Sequence, residues 1–161
     1  MAAGDSRRFC TKEEAMVEFR KITEENFKQI VDMRLPPEPR CVAPNVVSLA
    51  QAWLYYENHD VYPFAIYHGD DVVGFMMLDE DLEEKCMTVW RFMIAPEQQG
   101  KGYGQAAMEH IIDLVRKSGK YTHMTLDVVP GNERAMRLYK KLGFAETGEI
   151  SEGEIVMKLA L

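Results

Sequence analysis

The chain has 161 residues, of which 47% are hydrophobic, and it carries a formal net charge of −7 at pH 7. This length suits a single domain with a full hydrophobic core, and the sequence holds no apolar run near the roughly 20 residues that a membrane-spanning helix needs. The acidic balance argues against a nucleic-acid-binding protein, which needs a basic surface, and it favours a cationic substrate.

The N-terminal part of the chain predicts a leader, one strand and two helices. Residues 1–15 show no apolar period, so we expect a disordered leader there and a single domain over 16–161. Alternating residues at 17–22 predict the first strand, and Thr23 opens a helix to about Met33. Proline residues at 36, 37 and 39 break the chain before a second helix to about Asn58, for which Asn45 is the expected N-cap.

The remainder of the chain alternates strands, helices and turns. Runs of apolar and β-branched residues predict the later strands, and helical spacing predicts a helix that ends near Lys117 and another further on. The strands are expected at Tyr62–Tyr67, Val72–Leu78, Cys86–Ile94, Thr122–Val129, Glu146–Glu149 and Glu154–Leu159, and the last helix at Asn132–Leu142. The final two strands would form a hairpin around Ser151, Glu152 and Gly153.

Cysteine and histidine usage favours a cytoplasmic protein without a metal. Cys10, Cys41 and Cys86 are odd in number and widely spaced, which is typical of reduced thiols in the cytosol. The four histidines never occur at metal-ligand spacing, so we expect no zinc or iron site.

Five carboxylates fall within six positions at residues 79–84. A solvated turn between two strands is the simpler interpretation. An acidic lip that attracts amino substrates is the alternative, and both can hold at once.

A glycine-rich turn joins the fourth strand to the following helix. Gln99, Gly102 and Gly104 form the pattern Gln-x-x-Gly-x-Gly within Gln98–Gly104, and Gly100 adds a third glycine. Glycines that open a helix present free backbone N–H groups and the positive end of the helix dipole, which suits phosphate oxygens. The spacing matches neither a P-loop nor a dinucleotide-binding fingerprint.

A second motif follows about thirty residues later. Asn132 and Tyr139 lie two helical turns apart and so share a helix face, and Gly143-Phe144 closes that helix. With the glycine loop, this segment resembles the GCN5-related N-acetyltransferase (GNAT) superfamily over roughly Val17 to the C-terminus. The pattern at Val42–Ala52 is similar to bacterial spermine/spermidine (diamine) N-acetyltransferases.

The resemblance implies a mixed α/β (α+β) fold. Its mostly antiparallel sheet has six to seven strands, splays apart between strands 4 and 5, and is flanked by four helices. Acetyl-coenzyme A would be the co-substrate, with the pantetheine arm on the backbone of the fourth strand and the pyrophosphate on the glycine loop. The residues expected to bind it are Phe92, Met93, Ile94, Gln99, Gly100, Lys101, Gly102, Tyr103, Gly104, Gln105 and Asn132.

The resemblance places a catalytic acid at Tyr139, where a phenol can stabilise the departing thiolate by a hydrogen bond. Asp127 lies where some protein N-terminal acetyltransferases carry a catalytic glutamate, so it is the candidate base. A pair with Arg91 on the neighbouring strand is the other explanation for Asp127. Trp90 occupies the position of a glutamate in mammalian-type diamine acetyltransferases, which removes one familiar base.

The predicted acceptor is a small-molecule amine, most simply a polyamine such as spermidine or spermine, with no nucleic-acid or membrane partner. Candidate acceptor contacts are Trp53, Tyr56, Asp79, Glu80 and Trp90. Another amine, such as an amino acid, a peptide N-terminus or an aminoglycoside, is an alternative, as is a non-catalytic acyl-coenzyme A sensor. A homodimer through Met87, Met93 or the closing strands is one assembly that the resemblance allows.

Overall fold

The computed structural model describes residues 16–36 and 42–161. The expected leader, the prolines at 37 and 39, Cys10 and Cys41 lie outside these residues. The described chain forms one seven-stranded sheet with helices on both faces. The strands are β1 (Glu18–Lys21), β2 (Val61–His68), β3 (Asp71–Asp81), β4 (Cys86–Ile94), β5 (His123–Val128), β6 (Ala145–Ser151) and β7 (Glu154–Ala160). The helices are α1 (Glu24–Asp32), α2 (Asn45–Leu54), α3 (Tyr103–Ser118) and α4 (Glu133–Lys141).

The sheet order is β1-β2-β3-β4-β5-β7-β6, and every neighbouring pair is antiparallel except β4 and β5. This arrangement confirms the predicted mixed, mostly antiparallel sheet with four flanking helices. A parallel pair cannot be joined by a tight turn, so α3 crosses over between β4 and β5. The glycine loop begins this crossover and therefore lies next to the C-terminal end of β4.

Two hydrophobic cores lie on the two faces of the sheet. The larger packs β3, β4, β5 and β7 against α3 and α4, and the smaller packs β2, β3 and β4 against α1 and α2. Strand β3 alternates between them: Met76 belongs to the larger core, while Phe75 and Met77 belong to the smaller. A central strand covered on both faces reads as a continuous apolar run, which is the pattern of Val72–Leu78.

The structure corrects three sequence predictions. Pro44, not Asn45, is the N-cap of α2; the Asn45 side chain is buried instead, and its Nδ2 donates to Ile30 O at 2.9 Å. Helix α2 ends at Leu54, and residues 56–58 form a separate 3-10 turn. Met87 and Met93 are 5% and 4% exposed within the cores, so they cannot form a dimer interface.

The acidic segment completes β3 and turns into β4. Asp81 pairs with Cys86 and Asp79 with Thr88, at the start of β4. The Glu80 carboxylate accepts hydrogen bonds from the Tyr62 and Tyr121 hydroxyls. Three of the five carboxylates thus belong to β3, one of them fixed by two phenols, and only Glu83 and Glu84 lie in the turn that the simpler interpretation predicted.

Candidate active site

The sheet opens between β4 and β5. Pairing between the two strands is limited to Cys86–Val89 of β4 and His123–Leu126 of β5. Beyond that point β4 stays paired with β3 and β5 with β7, so the strands diverge. The register between β3 and β4 shifts beside Met77, which leaves Trp90 as an extra residue in β4. A bulge bends a strand and increases its twist, so Trp90 marks the place where β4 leaves β5.

The opening between β4 and β5 forms a cleft of about 980 Å³. Its walls come from the diverging ends of β4 and β5, the glycine loop, the first turn of α3, α4, the β6–β7 turn and part of α2. The β5-facing backbone groups of residues 90–94 have no strand partner there. Apart from Trp90 O and Ile94 O, which accept side-chain hydrogen bonds from Arg91 and Gln99, they are available to an extended ligand in the way that a sheet edge accepts an added strand.

The glycine loop closes one end of the cleft. Gly100 and Gly102 have φ values of +80° and +87°, a left-handed conformation that suits glycine. Gly102 caps α3, whose first amides have no partner within the helix. Gly104 also lines the cleft, and a Cβ there would lie in ordinary van der Waals contact, 3.6 Å from Ile94 Cγ1 and 3.9 Å from Phe92 Cζ. The loop, the helix start and the open wall together fit a phosphate-bearing ligand with an extended arm.

Side-chain hydrogen bonds fix the loop against its neighbours. Gln99 Nε2 donates to Ile94 O at 3.0 Å, and its Oε1 accepts from the Arg134 guanidinium at 2.7 Å. In addition to its predicted contact with the ligand, Gln99 therefore holds the glycine loop against β4 and α4. Arg134 has no sequence signal of its own beyond its place within the Asn132–Tyr139 segment.

Of the residues predicted to bind the co-substrate, all but Lys101 line the cleft. The Lys101 ammonium donates to Gln98 Oε1 at 2.8 Å on the exposed side of the loop. Asn132 also caps α4, since its side-chain oxygen accepts from the Ala135 amide at 3.2 Å.

Tyr139 lies on the inner face of α4. It is 8% exposed and lines the cleft, and its ring makes an edge-on contact with Phe144, 6.0 Å between centroids. Gly143, with φ +98°, ends the helix so that the Phe144 amide returns to Tyr139 O at 3.0 Å. Burial raises the pKa of the Tyr139 phenol well above its usual range, so the hydroxyl stays protonated.

Asp127 also lines the cleft, one residue beyond the point where β5 stops pairing with β4. Burial, followed by the nearby charges of Glu149 and Glu152, raises the pKa of its carboxyl. Among the described residues no ion pair joins Asp127 to Arg91. The Arg91 guanidinium instead donates to Trp90 O at 2.9 Å and to Gln51 Oε1 at 3.2 Å.

The predicted acceptor residues divide between the cleft and other surfaces. Trp90 lines the cleft, with the Tyr55 ring 6.1 Å away. Trp53 and Tyr56 stack on each other outside it, 77% and 62% exposed. Asp79 and Glu80 are not brought to the cleft. Among the described residues, the acidic ones that line it are Asp127, Glu152 and Glu154, and the sequence predicts the last two only as parts of a hairpin.

This divided sheet, with a glycine loop at one end of the gap, is the arrangement that the resemblance to acetyltransferases predicts. The model of the acetyltransferase (GNAT) family matches residues 20–144. The chain therefore belongs to this family, and it is an acetyltransferase.

Characterised relatives cover most of the chain. It is 30% identical over 149 residues to the spermine/spermidine N(1)-acetyltransferase of Bacillus subtilis, covering 88% of this chain and 96% of that protein. It is 29% identical over 114 residues to the streptothricin acetyltransferase of Streptomyces lavendulae, covering 65% and 60%. The spermidine N-acetyltransferase of Vibrio cholerae, solved with coenzyme A and spermine, has the same fold: TM-score 0.71, 17% identity, 90% of this chain and 95% of that chain covered.

Proposed function

We propose that this protein transfers an acetyl group from acetyl-coenzyme A directly to a polyamine such as spermidine or spermine, with both substrates bound at once. The observation that carries the proposal is the gap between β4 and β5, with the glycine loop at one end and with Tyr139 and Asp127 among the residues that line it. The name of the B. subtilis relative supports a polyamine acceptor.

Acetyl-coenzyme A is the co-substrate, and it supplies an acetyl group already activated as a thioester. The amides of Gly100–Gln105 would hold its pyrophosphate, and the unpaired backbone edge of β4 would hold its extended arm. Arg134 adds a guanidinium at the phosphate end. These contacts need main-chain groups and one cation, all of which the described residues provide.

The residues of this chain then have three tasks. Asp127 accepts the proton of the acceptor ammonium, because an alkylammonium has no lone pair for attack. A free N–H on the β4 edge stabilises negative charge on the acetyl oxygen. Tyr139, which burial keeps protonated, donates a hydrogen bond to the departing sulfur.

A steady-state assay of coenzyme A release tests the proposal against an acceptor panel. The panel contains spermidine, spermine, an aminoglycoside, streptothricin and a peptide with an N-terminal alanine. We expect the highest kcat/KM with a polyamine. Turnover of another acceptor with no rate on either polyamine would reject the polyamine and keep the acetyltransferase. Binding of acetyl-coenzyme A without turnover of any amine would favour the sensor.

Cleft-lining residues also support the single-domain prediction, since they run from Leu35 to Glu154. We propose that residues 16–161 form this one catalytic domain. No helix among the described residues is long and apolar enough to cross a bilayer. A cytoplasmic location and a homodimer remain predictions.

A further inference from the structure

Every exposed residue of helix α2 is hydrophobic. A surface helix normally turns its apolar residues inward and its polar residues to solvent. In α2 this arrangement is reversed, since Asn45 and Ser48 are among its buried residues. The exposed residues, which we call the α2 face, are Val46, Val47, Ala50, Trp53 and Leu54.

The other three helices lack such a face. The exposed residues of α1 are polar except Phe27, and those of α3 are polar except Leu114. The exposed residues of α4 are all charged. Single exposed apolar residues are ordinary, whereas a contiguous apolar patch marks a surface that binds something.

The region around the α2 face carries no charge. From Val42 to Tyr56 the sequence has no charged residue, although 28% of the chain is charged. Two copies of a chain with a net charge of −7 repel each other least across an uncharged surface. A cationic partner would instead be drawn to the carboxylates elsewhere, so the α2 face suits a second copy better than a partner of opposite charge.

The α2 face is complementary to itself in size. Val46 and Val47 lie in the first turn of the helix, Trp53 and Leu54 lie in the last turn, and Ala50 lies midway. A two-fold axis that packs two such helices antiparallel places the valines of one copy against the two large side chains of the other. The small Ala50 side chains meet at the crossing point, where they let the helix axes approach closely.

The area of this surface is sufficient for a dimer. The Trp53 ring stacks on Tyr56, 5.7 Å between centroids, which extends the apolar surface past the end of α2. Trp53 is 77% exposed and Tyr56 is 62% exposed. An aromatic side chain buries about 150–250 Å² when it is fully covered, so these two would contribute roughly 100–200 Å² each. Leu54, Ala50 and the valines bring the surface close to the roughly 800 Å² per partner of a standard interface.

We propose that the protein forms a two-fold symmetric homodimer in which the α2 faces of two copies pack antiparallel, with Ala50 at the axis. Gln51, on another side of the same helix, lines the cleft and accepts a hydrogen bond from Arg91. The second copy therefore lies behind part of the cleft wall. This proposal goes beyond acetyl transfer and does not depend on which amine is the acceptor.

The dimer dissociation constant, measured by sedimentation equilibrium of the full chain, tests the proposal. Leu54→Glu puts a carboxylate into the α2 face, and Leu82→Glu makes the same change on the β3–β4 turn, where the leucine is 61% exposed. Two-fold symmetry places the new charge in the interface twice, so Leu54→Glu should raise the Kd at least about a hundredfold. Leu82→Glu should change the Kd less than about threefold, because exposed substitutions away from an interface have small effects. Urea denaturation checks that both variants keep the wild-type fold.

A second variant tests the position of the axis. Ala50→Cys brings two thiols together only if the α2 faces pack as proposed, since a disulfide needs closely placed Cα atoms. On air oxidation this variant should yield far more covalent dimer than Leu82→Cys. The wild-type chain, with its own three cysteines, gives the background yield.

Three results would overturn the proposal. The first is a wild-type chain that stays monomeric at its highest soluble concentration. The second is a dimer whose Kd is unchanged in Leu54→Glu and whose Ala50→Cys variant gives only background cross-linking, which would place the interface on another surface such as the closing strands. The third is a monomer that binds phosphatidylcholine vesicles and loses this binding in Leu54→Glu, which would assign the α2 face to a bilayer. Acetyl transfer is tested separately by the acceptor panel and stands or falls without these results.

Discussion

Replacing Tyr139 with phenylalanine removes one oxygen and keeps the ring. The ring is 8% exposed and contacts Phe144, so the packing of α4 on β5 should persist. Among the described residues the hydroxyl makes no hydrogen bond, so its removal leaves no protein group unpaired. We expect the free energy of unfolding to change by less than about 1 kcal/mol.

The kinetic effect should be much larger. A positioned acid contributes about 10²–10⁴-fold to a rate, which corresponds to about 2.7–5.4 kcal/mol of the activation barrier. The loss should fall on kcat, with the KM for acetyl-coenzyme A changed less than about threefold, because the phenol acts on charge that develops during transfer. Since burial raises the pKa of Tyr139, its ionisation should not produce an alkaline fall in kcat below about pH 10.

The assay is steady-state coenzyme A release with a saturating amine, combined with urea denaturation. Tyr121→Phe is the matched control, because that hydroxyl donates to Glu80 away from the cleft. The control should lose about 1.5–3 kcal/mol of stability, the value of a hydrogen bond to a charged group, and keep its kcat. A Tyr139→Phe enzyme with kcat within threefold of wild type would refute the assigned role of Tyr139.

Three further variants probe the cleft. A Cβ on Gly74 would lie 2.5 Å from Met93 O, so Gly74→Ala should lower the free energy of unfolding by about 1–3 kcal/mol in urea and weaken acetyl-coenzyme A binding in calorimetry. Arg134→Gln removes the 2.7 Å bond to Gln99 and a cation, so the KM for acetyl-coenzyme A should rise about tenfold at unchanged kcat. Folding raises the pKa of Asp127, so the ionised carboxylate destabilises the folded state at neutral pH. Asp127→Asn should therefore raise Tm at pH 7. This gain in Tm should vanish below about pH 4, where the carboxyl is protonated in both the folded and the unfolded state.

Each of these predictions has a contradicting result. Unchanged stability in Gly74→Ala would mean that β4 adjusts freely beside the cleft. A fall in kcat without a change in KM for Arg134→Gln would remove its role in binding the co-substrate. A Tm gain for Asp127→Asn that persists at pH 3 would show that packing, not charge, sets the effect.

Local patterns predicted the elements well. The apolar run of β4 gave its observed bounds, Cys86–Ile94, and the Asn132 and Gly143 signals delimited α4. At Asn45 the local signal failed, because a side chain typical of a cap was buried instead to bond Ile30 O on α1. Met87 and Met93 could not be assigned from sequence, since whether a methionine is buried or exposed depends on which elements cover its strand.

The glycine loop and Tyr139 could be recognised because their functional groups lie within short, spaced motifs. The acidic end of the cleft could not, because Asp127 and Glu154 are far apart in sequence and meet only through the pairing of β5 with β7. Local composition instead drew attention to residues 79–84, which the β3–β4 register places at the closed end of the strand pair. Charge density in sequence therefore drew attention to a surface outside the cleft.

The central claim is that acetyl-coenzyme A binds in the gap between β4 and β5. Amide hydrogen exchange with and without acetyl-coenzyme A tests this most directly. We predict slower exchange in residues 90–94, on the unpaired β4 edge, and in 100–105, with β1 at the far edge of the sheet unchanged. Binding that protects other segments and leaves 90–94 and 100–105 exchanging as in the free protein would contradict the account.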